Sequence, residues 1–191
     1  MGLTIQTEPT IEPVSLADMT PFARGYLDEH RSMMQGLIVS ARKYVENYTR
    51  RSLINTVYDY TLESLSDEIT LPRSPVVSVT SITYVDTNGN TQTLSSSLYT
   101  VDTAAKPGKI YKAYNATYPS IRSQHDAVTV RFTAGYGTTT SAIPEPLKLC
   151  IKMLAAQWYD QPEPVLTGTI ATALPFGLEN ILTQYRMVEI H

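Results

Sequence analysis

Residues 128–160 read VTVRFTAGYGTTTSAIPEPLKLCIKMLAAQWYD, and both kinds of structure in the chain meet there. Val128, Val130 and Phe132 alternate with Thr129, Arg131 and Thr133, the period of a half-buried β-strand. Gly135 and Gly137 end that pattern. Pro144 and Pro146 then suit only the first turn of a helix, where a missing N–H costs nothing. Beyond them Leu147, Cys150, Ile151, Leu154 and Trp158 recur at spacings of three and four, the stripe of an amphipathic helix. One segment thus closes a sheet and launches a long helix over 144–159.

Working back toward the N-terminus, residues 53–134 are strand-like and rich in Val, Ile, Thr and Tyr. Strands are expected over 57–62, 69–71, 76–85, 91–94, 98–101 and 109–111. The longest, Val76–Val85, runs into Thr87-Asn88-Gly89-Asn90, a hairpin turn in which Asn-Gly tolerates positive φ. Residues 112–126, with Pro119, read as a long surface loop. Upstream, Met34, Leu37, Ile38, Ala41, Val45 and Tyr48 set a helix over about 31–49, with Asp28 or Ser32 to cap its start. Ser15 followed by Asp18 announces a short helix from about Leu16 to Tyr26, disturbed by Pro21. Residues 1–13, with Pro9 and Pro13, show no periodicity and read as an extended arm. Downstream, Gln161-Pro162-Glu163-Pro164 is a stop signal, 165–173 a small-residue loop, and Leu178, Ile181, Leu182 and Tyr185 the apolar face of a last helix. The expected fold class is α+β: about four helices in a small bundle flank a β-rich insertion of antiparallel strands. The division is 1–13 arm, 14–52 helical part, 53–134 β-rich insertion, 143–186 helical part and 187–191 tail, within a single domain of 191 residues. Leu37, Ile38, Ala41, Val45, Leu147, Ile151, Leu154 and Trp158 are the expected helical core.

The bulk numbers narrow the function. At 42% hydrophobic the chain can bury a core, and a net charge of −3 argues against a general nucleic-acid binder. One cysteine permits no intramolecular disulfide, which fits a reducing, cytosolic folding environment. No apolar run approaches the ~18 residues of a membrane span, and no signal peptide is apparent. Two triplets match the glycosylation pattern, Asn47-Tyr48-Thr49 and Asn115-Ala116-Thr117, and read as chance matches without a secretory signal. Tyrosine, with 13 residues against three Phe, admits two readings: half-buried contact surfaces between subunits, or strand positions that favour the ring. Arg42, Lys43, Arg50 and Arg51 near the end of the second helix also admit two: contact with a nucleic-acid backbone or acidic partner, or a solvated helix face. The solvated face is the weightier of these.

No catalytic, cofactor-binding or metal-binding residue emerges. His30, His125 and His191 lie far apart and none sits at metal-ligand spacing. Cys150 falls on the apolar stripe, the place of a small core residue, with no His or cationic cluster beside it. Asp28-Glu29 and Asp67-Glu68 read as solvated turns rather than acid–base dyads. Gly135-Tyr136-Gly137 lacks the Lys-Ser/Thr of a P-loop and the Rossmann glycine spacing, and reads as a turn.

The order of motifs resembles the tailed-phage head–tail connector (adaptor) proteins. The resemblance rests on Glu12-Pro13-Val14-Ser15-Leu16-Ala17, on Ala41-Arg42-Lys43-Tyr44-Val45-Glu46-Asn47-Tyr48-Thr49 and on Leu71-Pro72-Arg73-Ser74-Pro75-Val76. It continues through Ser78-Val79-Thr80-Ser81-Ile82-Thr83-Tyr84, residues 128–137, Ile143-Pro144, Trp158-Tyr159 and Leu174-Pro175-Phe176-Gly177. Two departures stand out. Arg50 follows the Tyr-Thr where the family pattern has glycine, the usual left-handed residue at a helix end. An acidic pair before that helix is replaced by Glu29-His30-Arg31. The resemblance implies a structural, non-enzymatic subunit without cofactors. It implies a ring of about twelve copies in cyclic symmetry beneath the portal. The ring would extend the DNA channel and join the capsid to the next neck or tail (stopper) protein, with double-stranded DNA passing through unread and no membrane involved. The implied place is the capsid–tail junction of the virion, after assembly in the host cytoplasm. The alternative is a non-catalytic β-rich binding module of a tail or surface structure, its tyrosines contacting carbohydrate or protein. The arm, the 165–173 loop and the tail are the expected contact segments.

Overall fold

Among the described residues eight strands and four helices form an α+β structure with two compact units, Met1–Pro9 with Asn55–Tyr136 and Thr10–Ile54 with Gly137–His191. The structure, a computed structural model, describes residues 2–23, 28–160 and 176–187.

The β unit holds β1 (Gly2–Thr7), β2 (Thr56–Leu62), β3 (Glu68–Thr70), β4 (Val76–Val85), β5 (Thr91–Thr93), β6 (Tyr99–Asp102), β7 (Lys109–Lys112) and β8 (Val128–Ala134). A five-stranded sheet runs β1-β2-β8-β4-β5 and a three-stranded sheet β3-β7-β6, with every pairing antiparallel. β8 lies in the middle of the larger sheet, and the alternation read from its sequence holds: Val128, Val130, Phe132 and Ala134 are buried and Arg131 is exposed. Its neighbours match it in register, since Val130 faces Tyr60 on one side and Ile82 on the other. Period-two side chains keep all of these on one face. One core joins the two sheets: Ile69 and Ile110 from the smaller sheet cluster with Tyr58, Ile82, Val130 and Phe132 from the larger. Phe132 is fully buried and stacks on Tyr58 with ring centres 5.5 Å apart. On the opposite face Arg131 reaches across to Asp59 with two bonds of 2.8 and 2.7 Å.

The hairpin at Asn88-Gly89 forms as expected. Gly89 takes φ 90°, and the Asp86 carboxylate accepts from the Asn88 and Asn90 N–H groups at 2.9 Å each. The Asn90 bond first, and then one from the Gln92 side chain, hold Asp86 below its ordinary pKa. The strand expected at 98–101 begins one residue later. Leu98 belongs to a single 3₁₀ turn over Ser96–Leu98, because the Ser95 hydroxyl accepts the Ser97 N–H and offers the backbone an alternative to the ladder. Residues 2–7, inside the stretch read as an arm, form β1 along β2; their side chains are mostly exposed, so no apolar pattern announces the pairing.

The helical unit holds α1 (Leu16–Met19), α2 (Arg31–Thr49), α3 (Glu145–Asp160) and α4 (Phe176–Tyr185). Ser15 and Asp18 make the capping box foreseen for α1. The helix is shorter than expected, ending before Pro21, whose ring and missing N–H oppose another turn; residues 24–26 of the expected span lie outside the described ones. α2 has the expected bounds but a different cap. A 3₁₀ turn over Asp28–His30 precedes it, and His30 takes the N-cap position without a side-chain cap bond, in place of Asp28 or Ser32. The His30 ring turns instead to Tyr159 on α3, 2.7 Å away. Six of the expected helical core residues, Ile38, Ala41, Val45, Leu147, Ile151 and Leu154, are buried. Leu37 and Trp158 are only half-buried, because each lies at the margin of its stripe.

Candidate functional site

The residues screened for chemistry do not converge. His125 is exposed beside Glu63 and Asp126 in the β unit, His30 bonds Tyr159 in the helical unit, and His191 lies outside the described residues. Cys150 is buried on α3, and burial pushes its thiol up to about 11, which keeps it protonated and inert at neutral pH. Asp67 pairs with Lys112 and Glu68 with Lys109, two ion pairs across the β3–β7 edge. Asp28 and Glu29 sit in the 3₁₀ turn before α2. Gly135 donates its N–H to the Pro75 carbonyl at 2.9 Å, and a Cβ on Gly137 would lie 2.8 Å from that of Ala142. That segment is a tight turn. Among the described residues no group of three or more His, Cys, Asp or Glu gathers as a metal site. Among them too, no helix is long and apolar enough to cross a membrane.

The basic cluster at the end of α2 corrects both sequence readings for Arg42. It is neither a solvated residue nor a phosphate contact, being only 4% exposed. Its Nε donates to Glu12 at 2.8 Å and a terminal nitrogen to Glu46 at 2.9 Å. Glu46 is itself buried and also accepts the Leu53 N–H at 2.8 Å. Burial pulls the Arg42 pKa down, but the bonds and charges of Glu12 and Glu46 outweigh it and leave it raised. The cluster therefore locks the segment before α1 and the segment after α2 onto one guanidinium. Arg51 is also turned inward, donating to the Tyr185 carbonyl at 2.6 Å, while the Met187 N–H satisfies the Thr49 carbonyl. Arg50 takes φ 55° and ψ 29°, so the left-handed residue that ends α2 is here an arginine. A Cβ in that conformation costs roughly 1–2 kcal/mol. The inward ties of its neighbours hold it.

The outer surface is where contact chemistry collects. Tyr44 meets Trp158 edge-on at 6.2 Å and stacks with Tyr48 at 6.5 Å, and Arg186 lies 5.6 Å from the Tyr48 ring. Tyr, Trp and Arg are the residue types that dominate interface energetics. An open groove of about 480 Å³ between α3 and α4 is lined by Pro146, Leu149, Lys152, Ile181 and Tyr185. Met33, Tyr44, Leu149 and Met153 are exposed apolar side chains on helices of this unit. The tyrosines divide between the two sequence readings. Tyr58, Tyr60, Tyr84, Tyr99 and Tyr118 belong to or pack on the β core, whereas Tyr44, Tyr111 and Tyr114 are exposed.

An inward-facing charged lock and outward-facing apolar and aromatic ridges are the makeup of a structural subunit that packs against others. The chain matches the Head completion protein (HCP) family over residues 14–188 and belongs to that family. It is similar to a solved chain of the virion of a native gene transfer agent (GTA) particle, with a TM-score of 0.78 and 26% identity. It is equally 26% identical to a chain in the neck of the empty GTA particle, computed with C6 symmetry, TM-score 0.77. A chain in the neck of the native particle, computed with C12 symmetry, gives 0.75 at the same identity. Each likeness covers 100% of this chain and 98% of the other. No curated protein matches the chain. Family and neck structures together give it the role of a structural head–tail connector of the virion.

Proposed function

We propose that this chain assembles into a ring of about twelve copies beneath the portal, at the junction of capsid and tail. The observation that carries this is likeness along the whole chain to a neck subunit whose particles were computed with C6 and C12 symmetry. The ring extends the DNA channel and presents a platform to the next neck (stopper) protein. DNA passes through without being read. The net charge of −3 supports this, since rows of Lys and Arg would hold the phosphates they met. The subunit contributes surfaces rather than catalysis. In this reading residues 1–191 act as one connector domain, folded in the host cytoplasm and then carried in the virion.

The test is the mass of the purified protein by light scattering after size exclusion, alone and with the portal protein. A ring, or a monomer that becomes one on portal, is the expected result. A monomer indifferent to portal overturns the proposal.

A further inference from the structure

Gly36 lies in the second turn of the 19-residue helix α2, and apart from its chain neighbours and the helix's own backbone no described atom comes within 4 Å of where its Cβ would be. Glycine is among the poorest residues for a helix interior. Nothing described in the subunit requires it here. Around it Met33, Leu37, Ser40 and Tyr44 recur at spacings of three and four, so all five lie on one stripe. Met33 is 45% exposed and Tyr44 37%. The Ser40 hydroxyl folds down onto the Gly36 carbonyl at 2.8 Å, which keeps the middle of the stripe low. Low residues flanked by apolar ones make a surface that another helix can approach closely.

The same unit carries a second apolar ridge. Pro146, Leu149 and Met153 share the face of α3 turned away from the buried Leu147, Ile151 and Leu154; Pro146 and Leu149 border the groove beside α4, and Met153 is exposed one turn further along. A cyclic ring with head-to-tail contacts requires two different patches on every copy. The geometry points to a subunit contact in which the α2 stripe of one copy, centred on Gly36, packs on the Leu149–Met153 ridge of the next. This inference rests on the ring reading above. The occupant is a second copy of this chain because the neck chain it resembles from end to end recurs under C12 symmetry.

Three variants of the full chain test it, with thermal unfolding and sedimentation at rising concentration, alone and with portal. Gly36→Gln replaces glycine by a better helix former in open space. It should raise the Tm of the isolated subunit by about 1–3 °C, yet weaken ring formation at least tenfold. A fall in Tm would mean the stripe is covered within the chain and would overturn the inference. Met33→Glu and Met153→Glu should each abolish rings while leaving Tm unchanged. Mixed in equal amounts they should form a dimer that grows no further, since each retains the face the other lacks. Variants that ring normally sink this contact and leave the ring reading intact. Normal rings that no longer bind portal assign the stripe to portal and overturn the second-copy occupant. A wild-type chain that forms no ring in either condition removes the reading on which the contact rests.

Discussion

Replacing Arg42 by Met removes a guanidinium that bonds two carboxylates, Glu12 and Glu46. Arg42 is 4% exposed and Glu46 7%, so Glu46 would stay buried, still accepting the Leu53 N–H, but without the cation that faces its charge. Removing one member of a buried pair typically costs about 3–5 kcal/mol. Glu12 is more exposed, with 29% of its side chain open, and regains water when released. The lower end, about 3 kcal/mol, is therefore expected. For an m-value of about 2 kcal/mol/M this moves the urea midpoint down by roughly 1.5 M. The single tryptophan, Trp158, sits on α3 in the same unit, so its fluorescence follows the helical unit directly. Glu12→Gln should cost about 1 kcal/mol or less, because that partner is near the surface. The double variant Arg42→Met/Glu46→Leu should recover part of the loss. The deficit left is the orphaned Leu53 N–H, about 1–3 kcal/mol. An Arg42→Met protein within about 1 kcal/mol of wild type would refute the lock, as would an equal loss from Glu12→Gln.

Three further outcomes are expected. Phe132→Ala should lose about 3–5 kcal/mol through the cavity left beside Tyr58, and a loss under about 1 kcal/mol in urea titration would contradict the central place of β8. Native Cys150 should resist a neutral thiol reagent at pH 8 and react in a burst in urea, since its thiol is buried and raised to about 11; rapid native labelling would show the stripe to be open. Asp86 has a folded pKa below its ordinary value of 3.8, chiefly through its turn bonds to Asn90 and Gln92. Its contribution to the β4–β5 hairpin is therefore full above pH 3.8 and fades as pH falls through the lower folded value. The protection factors of the Asn88 and Asn90 amides, taken against the intrinsic exchange rate at each pH, should fall in that acid window and stay flat above about pH 5, and protection unchanged by acid would remove Asp86 from the turn.

The particular elements show which parts of the fold were legible. Val76–Val85 and Arg31–Thr49 have the bounds expected of them, because a strand and a helix each repeat a short period that apolar spacing records directly. The Ser15–Asp18 box and the Asn88-Gly89 turn were legible for the same reason, since their bonds close within a few residues. The family motifs were legible as an order along the chain, and with them the connector role.

Arg42 was not legible. Its charge and its place near a helix end suggest solvent or phosphate, and a carboxylate 30 residues away, Glu12, helps to turn it inward. β1 was equally silent: a strand with exposed side chains carries no apolar signal, and its identity is the backbone ladder it shares with β2 some 55 residues on. The stripe on α2 shows the division most sharply. Spacing alone places Met33, Leu37 and Tyr44 on one side of a helix, but whether that side meets the bundle or the outside depends on where α3 and α4 come to rest. Sequence by itself determined most of the elements, their order and the kind of protein, because local periodicity and turn chemistry need no distant partner. Tertiary structure decided which charges are buried and which apolar face is left outward, because burial belongs to pairs of segments that meet only after the loops between them have closed.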